Sequence, residues 1–219
     1  MGGDTDDDDV EGFQRIPIAD LPPMPYRGTG YRTEPIMGIC VVGVLCAILV
    51  AVTQGVTNGP DAEATQLGQI AVILIWAEAS IAILSTLYLL FGDAGVIKRT
   101  EESCYPIPSE VEQRIRALQS LDSLKNIPGP QGDIRHGSYC VRCLVWRSKD
   151  AGKVHHCNVC QRCVTGFDHH CGVFGRCIVR NNMPCFLATI GMMFAGMITA
   201  MLAVMSSTAV NPQQGGGGG

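Results

Sequence analysis

Between residues 140 and 177 the chain concentrates seven of its eleven cysteines and four of its five histidines. The order is Cys140-x2-Cys143, then His155-His156-Cys157-x2-Cys160-x2-Cys163, then Asp168-His169-His170-Cys171, then Cys177. A Cys-x2-Cys turn lets two thiolates grip one ion from a tight loop, the usual half-site for tetrahedral zinc. Two zinc ions need eight donors. Cys140, Cys143, Cys157, Cys160, Cys163 and Cys177 with two of the four histidines supply them, leaving Cys171 and two histidines free. A redox dithiol would need only one Cys-x2-Cys pair. Such clustering points to metal or thiol chemistry in a reducing compartment rather than to a disulfide framework. Residues 140–183 hold few large apolar side chains, and so short a piece seldom folds on a core alone. Zinc, worth about 10–16 kcal/mol per structural site, would hold it together. Reactivity then has to come from whatever is not a ligand.

The elements that position this cluster are apolar. The 219-residue chain is 47% hydrophobic and only 16% charged, with a net charge of −4, a balance that excludes an ordinary soluble globule and argues against nucleic acid as a partner. Three runs have spanning length: Ile36–Thr53, Ile70–Phe91 and Cys185–Met205. Glu78 sits in the second. A central acid costs about 2.5–3.5 kcal/mol, whereas the Ile, Val, Leu and Phe residues around it return roughly 4–7 kcal/mol, so the run inserts. Thirteen of the sixteen Lys and Arg fall in residues 92–184 and none in 54–69, which puts the N-terminus and the cysteine-rich segment on the cytosolic side. The expected fold is a mainly α, polytopic membrane protein. Its order is an acidic cytosolic tail (1–35), helix 1 (36–53), a luminal loop (54–69), helix 2 (70–91), a cytosolic linker (92–139), the zinc domain (140–183), helix 3 (184–206) and a luminal low-complexity tail (207–219).

Smaller signals fill in the connections. Asp6–Asp9 read as a solvated run and Gly215–Gly219 as low complexity. Ser109 and Glu112 suggest a capping box, followed by Val111, Ile115, Leu118, Leu121 and Leu124 on one face of an amphipathic helix that Ile127-Pro-Gly-Pro130 ends. In the third run Met193, Met197, Met201 and Met205 recur every four residues, beside the small pairs Gly191/Ala195 and Gly196/Ala200, a pattern of helix packing with adaptable filler. No internal repeat is expected.

Asp168-His169-His170-Cys171 behind this cysteine series resembles the DHHC cysteine-rich domain of protein S-acyltransferases (palmitoyltransferases), over Cys140 to about Phe186. Asp93-Ala94-Gly95 stands where that family has Asp-Pro-Gly, and Asn182 and Phe186 fall at the family's spacing. The resemblance implies two interleaved Cys3His zinc sites, one of Cys140, Cys143, His156 and Cys163, the other of Cys157, Cys160, His170 and Cys177. It implies Cys171 as nucleophile, His169 as its base and Asp168 as the group orienting His169. No role falls to His155. The implied activity is a ping-pong transfer of a long-chain acyl group, such as palmitoyl, from acyl-CoA to Cys171 and on to a cysteine of a substrate protein. The implied setting is the cytosolic face of a eukaryotic Golgi, ER or plasma membrane. Arg142, Arg147, Lys149, Lys153, Arg162, Arg176 and Arg180 are candidates for the phosphates of CoA. The alternative is a non-catalytic, membrane-anchored zinc scaffold. The sequence departs from the family after Cys171, where Gly172-Val-Phe-Gly-Arg-Cys177 replaces Pro-Trp-Val-Asn-Asn-Cys, between Cys143 and His156, which lie about three residues further apart, and in the family's fourth helix with its Thr-Thr-x-Glu motif, expected here to be missing.

Overall fold

The computed structural model describes residues 15–59 and 65–210; the expected acidic run Asp6–Asp9 and glycine run Gly215–Gly219 lie outside them. Among the described residues, three helices are long and apolar enough to cross a membrane: α1 (Gly30–Asn58), α2 (Gln66–Phe91) and Met183–Ser207 of the last helix. α1 and the last helix run beyond their apolar stretches at both ends, and α2 at its start. Thr65 caps α2, its side-chain oxygen accepting from the Gly68 N–H. Between α2 and the last helix lie two short helices, α3 (Glu101–Cys104) and α4 (Ser109–Arg116), and seven short strands: β1 (Ile127–Pro128), β2 (Ser138–Cys140), β3 (Val145–Arg147), β4 (His155–Cys157), β5 (Arg162–Val164), β6 (Phe167–Cys171) and β7 (Arg176–Val179). The last helix is α5 (Met183–Val210). β1-β2-β3 form one antiparallel sheet, and β4–β5 and β6–β7 are two separate hairpins.

The three long helices pack on one another through few polar contacts. Glu78 meets Thr199, whose hydroxyl donates to Oε1 at 3.0 Å, and Thr86 and Thr189 place their hydroxyl oxygens 3.4 Å apart. Gly196 and Ala200 are buried at the α1–α2–α5 contact: a Cβ at Gly196 would lie 3.2 Å from Leu49 and 3.3 Å from Ile75. Gly191 of the other small pair is exposed. Of the methionine ladder, Met193 turns inward, its sulfur 3.7 Å from the Cys46 thiol, while Met197, Met201 and Met205 face outward. The ladder is therefore one packing residue and three on the apolar exterior.

Three sequence expectations are corrected. The amphipathic helix stops at Arg116, because Leu118 takes a left-handed backbone (φ 53°) and closes a Schellman motif, its N–H bonding the Ile115 carbonyl and the Gln119 N–H that of Arg114. Leu118 is 95% exposed, whereas Leu121 and Leu124 pack on the core from a turn. The Ser109/Glu112 box does not form, since Ser109 is already inside the helix behind Pro108; a capping box forms instead at Thr100 and Ser103. Residues 15–29 are not simply tail. Ile16 and Leu21 are buried with Tyr105, Val111, Ile115, Tyr139, Leu144 and Val145, so the cysteine-rich domain has an apolar core assembled largely from segments outside it.

Candidate metal centre and thiol site

Each of the three hairpins turns on the same device. Cys140, Cys157 and Cys171 close their first strands opposite Val145, Arg162 and Arg176. The fourth residue after each cysteine is left-handed: Leu144 (φ 56°), Gln161 (φ 53°) and Gly175 (φ 59°). In the first two, the N–H of that residue bonds the cysteine's carbonyl at 2.7 Å. The third residue after the cysteine is Cys143 in the first hairpin, Cys160 in the second and Phe174 in the third. A repeat is thus present that was not expected from sequence.

The repeat also interlocks. The Cys-x2-Cys pair of each of the first two hairpins is met by the next hairpin's histidine one residue before its leading cysteine and by its cysteine six residues after it. Cys140 and Cys143 join His156 and Cys163; Cys157 and Cys160 join His170 and Cys177. In each group the four donor atoms lie within 4.8 Å of one another. His156 Nδ1 is 3.6, 3.2 and 3.8 Å from the sulfurs of Cys140, Cys143 and Cys163. His170 Nδ1 is 3.5, 3.4 and 3.9 Å from those of Cys157, Cys160 and Cys177. Four donors held at about 2.0–2.3 Å from a tetrahedral ion stand about 3.5–3.8 Å apart, so both groups fit zinc in spacing and in donor type. Hydrogen bonds from Cys143 and Cys163 hold the Cys140 thiol far below its ordinary range, while the same contacts push Cys163 up and those with Cys140 and Cys143 push the His156 ring up to about 10. The second group repeats the split. Cys157 is held down by Cys160 and Cys177, and Cys160 is pushed up to about 11, chiefly by Cys157. Donors crowded this closely contend for protons that a divalent cation would displace.

Cys171 belongs to neither group. It is half-buried and packs against the apolar cluster of Val42, Cys46, Ala79, Leu89 and Phe174 from α1, α2 and the third turn. Phe174, standing where a cysteine stands in the other two turns, is buried there and meets Phe186 edge-on at 6.2 Å. Within β6 the register shifts between Phe167 and His169, which face Val179 and Ile178, so Asp168 is an extra residue on that strand. The bulge brings Asp168 Oδ2 to 2.8 Å from His169 Nδ1. An Nδ1–H donated to this carboxylate leaves the Nε2 lone pair free. His169 and Cys171 are two residues apart on one strand and share a face, with His169 edge-on to Phe186 at 5.4 Å. His155 stacks on Phe167 at 4.4 Å.

Several contacts seat this assembly on the helices. Gly95 sits left-handed (φ 66°) in a turn that Asp93 closes through its side chain. A Cβ there would lie 2.9 Å from Thr165 Oγ1, and the Gly95 carbonyl accepts from the Thr165 N–H at 2.9 Å, pinning the end of α2 to β5. Asn182 is buried and spans the β7–α5 junction: its Oδ1 accepts from the Val179 N–H at 2.7 Å and its Nδ2 donates to the Cys177 carbonyl at 3.0 Å. Pro35, inside α1, has no N–H for the Tyr31 carbonyl, and Arg176 donates to that carbonyl instead. The Arg176 Nε also reaches the Leu90 carbonyl at the C-terminus of α2. Among the candidate phosphate binders, Arg176 is thus engaged with backbone, as is Arg162 with the Pro25 and Gln161 carbonyls, while Arg147 meets Ser138 and Arg142 meets Asn158. Sequence reasoning missed Glu34, whose Oε2 lies 3.2 Å from His170 Nε2; at a separation of 136 residues no local pattern connects them.

Among models of known protein families, residues 134–216 match the one described as DHHC palmitoyltransferase. The comparison with curated proteins finds no match.

Proposed function

On the match of residues 134–216 to the DHHC palmitoyltransferase model, we propose that the chain is a protein-cysteine S-acyltransferase in which Cys171 carries the acyl group. The observation that supports this most is the third hairpin. It repeats the metal-gripping turn but has Phe174 in place of the second cysteine, so Cys171 has no half-site to join. Beside it the Asp168–His169 pair presents a basic nitrogen on the same face of β6.

The proposed chemistry follows from these groups. His169 Nε2 takes the proton of the Cys171 thiol, because the thiolate and not the thiol is the nucleophile. Asp168 holds the ring in the required tautomer and stabilises its charged form. The Cys171 sulfur then attacks the thioester carbonyl of an acyl-CoA, the carbonyl–sulfur bond of CoA breaks, and His169 returns the proton to the departing CoA sulfur. A substrate cysteine next gives its proton to His169 and attacks the acyl-Cys171 thioester, releasing the Cys171 sulfur, which recovers that proton. One thioester replaces another at each step, so no external energy source is needed. Two zinc ions would be held by Cys140, Cys143, His156 and Cys163 and by Cys157, Cys160, His170 and Cys177, where they would supply structure.

The acyl chain need not cross water. Cys171 packs against the apolar cluster of the spans, and each methylene buried there is worth about 0.8 kcal/mol. The charge bias of residues 92–184 supports a cytosolic placement of the site, where acyl-CoA and substrate thiols are available.

The test uses the detergent-purified full chain and a clickable fatty acyl-CoA. Hydroxylamine-sensitive label is expected on Cys171. Cys171→Ser is expected to abolish it with zinc still near two per chain, whereas Cys157→Ser loses zinc. Absence of label on a zinc-replete chain, or label that survives Cys171→Ser, contradicts the proposal.

A further inference from the structure

We propose that Glu34, at the start of α1, is a positioning residue for the second metal site and ties that helix to the strand bearing His169 and Cys171. An imidazole that gives Nδ1 to a metal must carry its proton on Nε2, and an acceptor fixed against Nε2 sets both the tautomer and the ring plane. At His170 that acceptor is the Glu34 carboxylate, 3.2 Å from Nε2, with the His170 side chain 13% exposed and that of Glu34 27% exposed. The first site differs in kind. His156 Nε2 faces the Gln161 side-chain oxygen at 3.4 Å, a neutral acceptor from within the same hairpin.

The surroundings of Glu34 show that its place is built. A Cβ at Gly175 would stand 2.5 Å from Pro35 Cδ and 2.7 Å from Glu34 Cβ, and one at Gly38 would stand 2.8 Å from the Val173 carbonyl oxygen. The turn after Cys171 therefore lies directly on the α1 segment that presents the carboxylate. His170 occupies the opposite face of β6 from His169 and Cys171. Fixing its ring from α1 fixes how that strand is rolled, and with it where the thiol meets the helices. A carboxylate also makes the histidine a stronger donor than an amide would, so the second site is the one whose metal retention depends on a membrane helix.

The inference rests on zinc filling both clusters, so the zinc content of the unaltered chain is read first; fewer than two ions per chain overturns the metal reading and the inference together. With two present, zinc transfer to a chromophoric chelator is followed for the full chain, Glu34→Gln and Glu34→Ala in detergent, alongside 113Cd resonances of the cadmium-exchanged proteins. In Glu34→Ala one equivalent is expected to leave about 10–100-fold faster, and one of two cadmium resonances to move. Glu34→Gln, which keeps an acceptor oxygen, should fall between. Unchanged release in Glu34→Ala, equal acceleration of both ions, or no rescue by Glu34→Gln would each overturn the positioning role while leaving the zinc reading intact.

Discussion

The two Cys3His clusters have the same donors and the same connectivity but stand in different surroundings. All four members of the first are buried, and Cys140, Cys143 and Cys163 belong to the apolar core with Tyr139, Leu144 and Val145. The second has a partly exposed histidine, a carboxylate from α1 behind it and Cys171 next to it in sequence. The first site is integral to a core; the second is a joint between the cysteine-rich domain and the helices. One repeated turn therefore stands in two settings, and a third copy, with Phe174 in place of the second cysteine, presents Cys171 outside both clusters.

The comparison can be broken most forcefully at the first site. Cys143→Ser should cost both ions, because its core also holds Cys163 of β5, whose partner strand β4 carries Cys157 of the second cluster, and about 10–16 kcal/mol of metal-linked folding is at stake. Cys177→Ser should lose only one, as metal analysis of purified chains would show. A smaller effect is expected at the joint. Phe174→Ala removes a buried ring from the contact between the third turn and the helices, and should lower stability by about 3–5 kcal/mol with zinc content unchanged, read as a shift in a detergent melting curve. Asp168→Asn should leave both zinc content and melting alone yet slow acylation of Cys171 about a hundredfold, because the amide no longer fixes the His169 tautomer or stabilises its charge. Smallest is Asn182→Ala, which strands the Val179 N–H and Cys177 carbonyl without partners and should cost about 1–3 kcal/mol, felt as weaker zinc retention at the second site rather than the first.

What the sequence made legible was governed by short range. Apolar run length marked the three long helices, and Cys-x2-Cys spacing marked the half-sites. The hairpin repeat was in principle readable too. His156-Cys157-x2-Cys160-x2-Cys163 and His170-Cys171-x2-Phe174-x2-Cys177 are in phase, but the phenylalanine hides the match. Other features depend on contacts that no pattern encodes. Glu34 and His170 meet only because α1 and the third turn pack together, and Arg176 satisfies a carbonyl that Pro35 vacated on another element. Leu118 looked like a member of an apolar face, yet its left-handed backbone ends the helix and turns it outward. The polar residue in α2 that carried an insertion cost acquired its partner, Thr199, from a helix 121 residues away.

The central claim is that the Cys171 sulfur is no metal ligand. Alkylation of the zinc-loaded chain with a small electrophile, mapped by peptide mass spectrometry and followed by zinc release, tests it directly. The account predicts modification of Cys171 with two ions retained, and protection of Cys140, Cys143, Cys157, Cys160, Cys163 and Cys177 until a chelator strips the metal. Release of zinc in step with modification of Cys171 would contradict it.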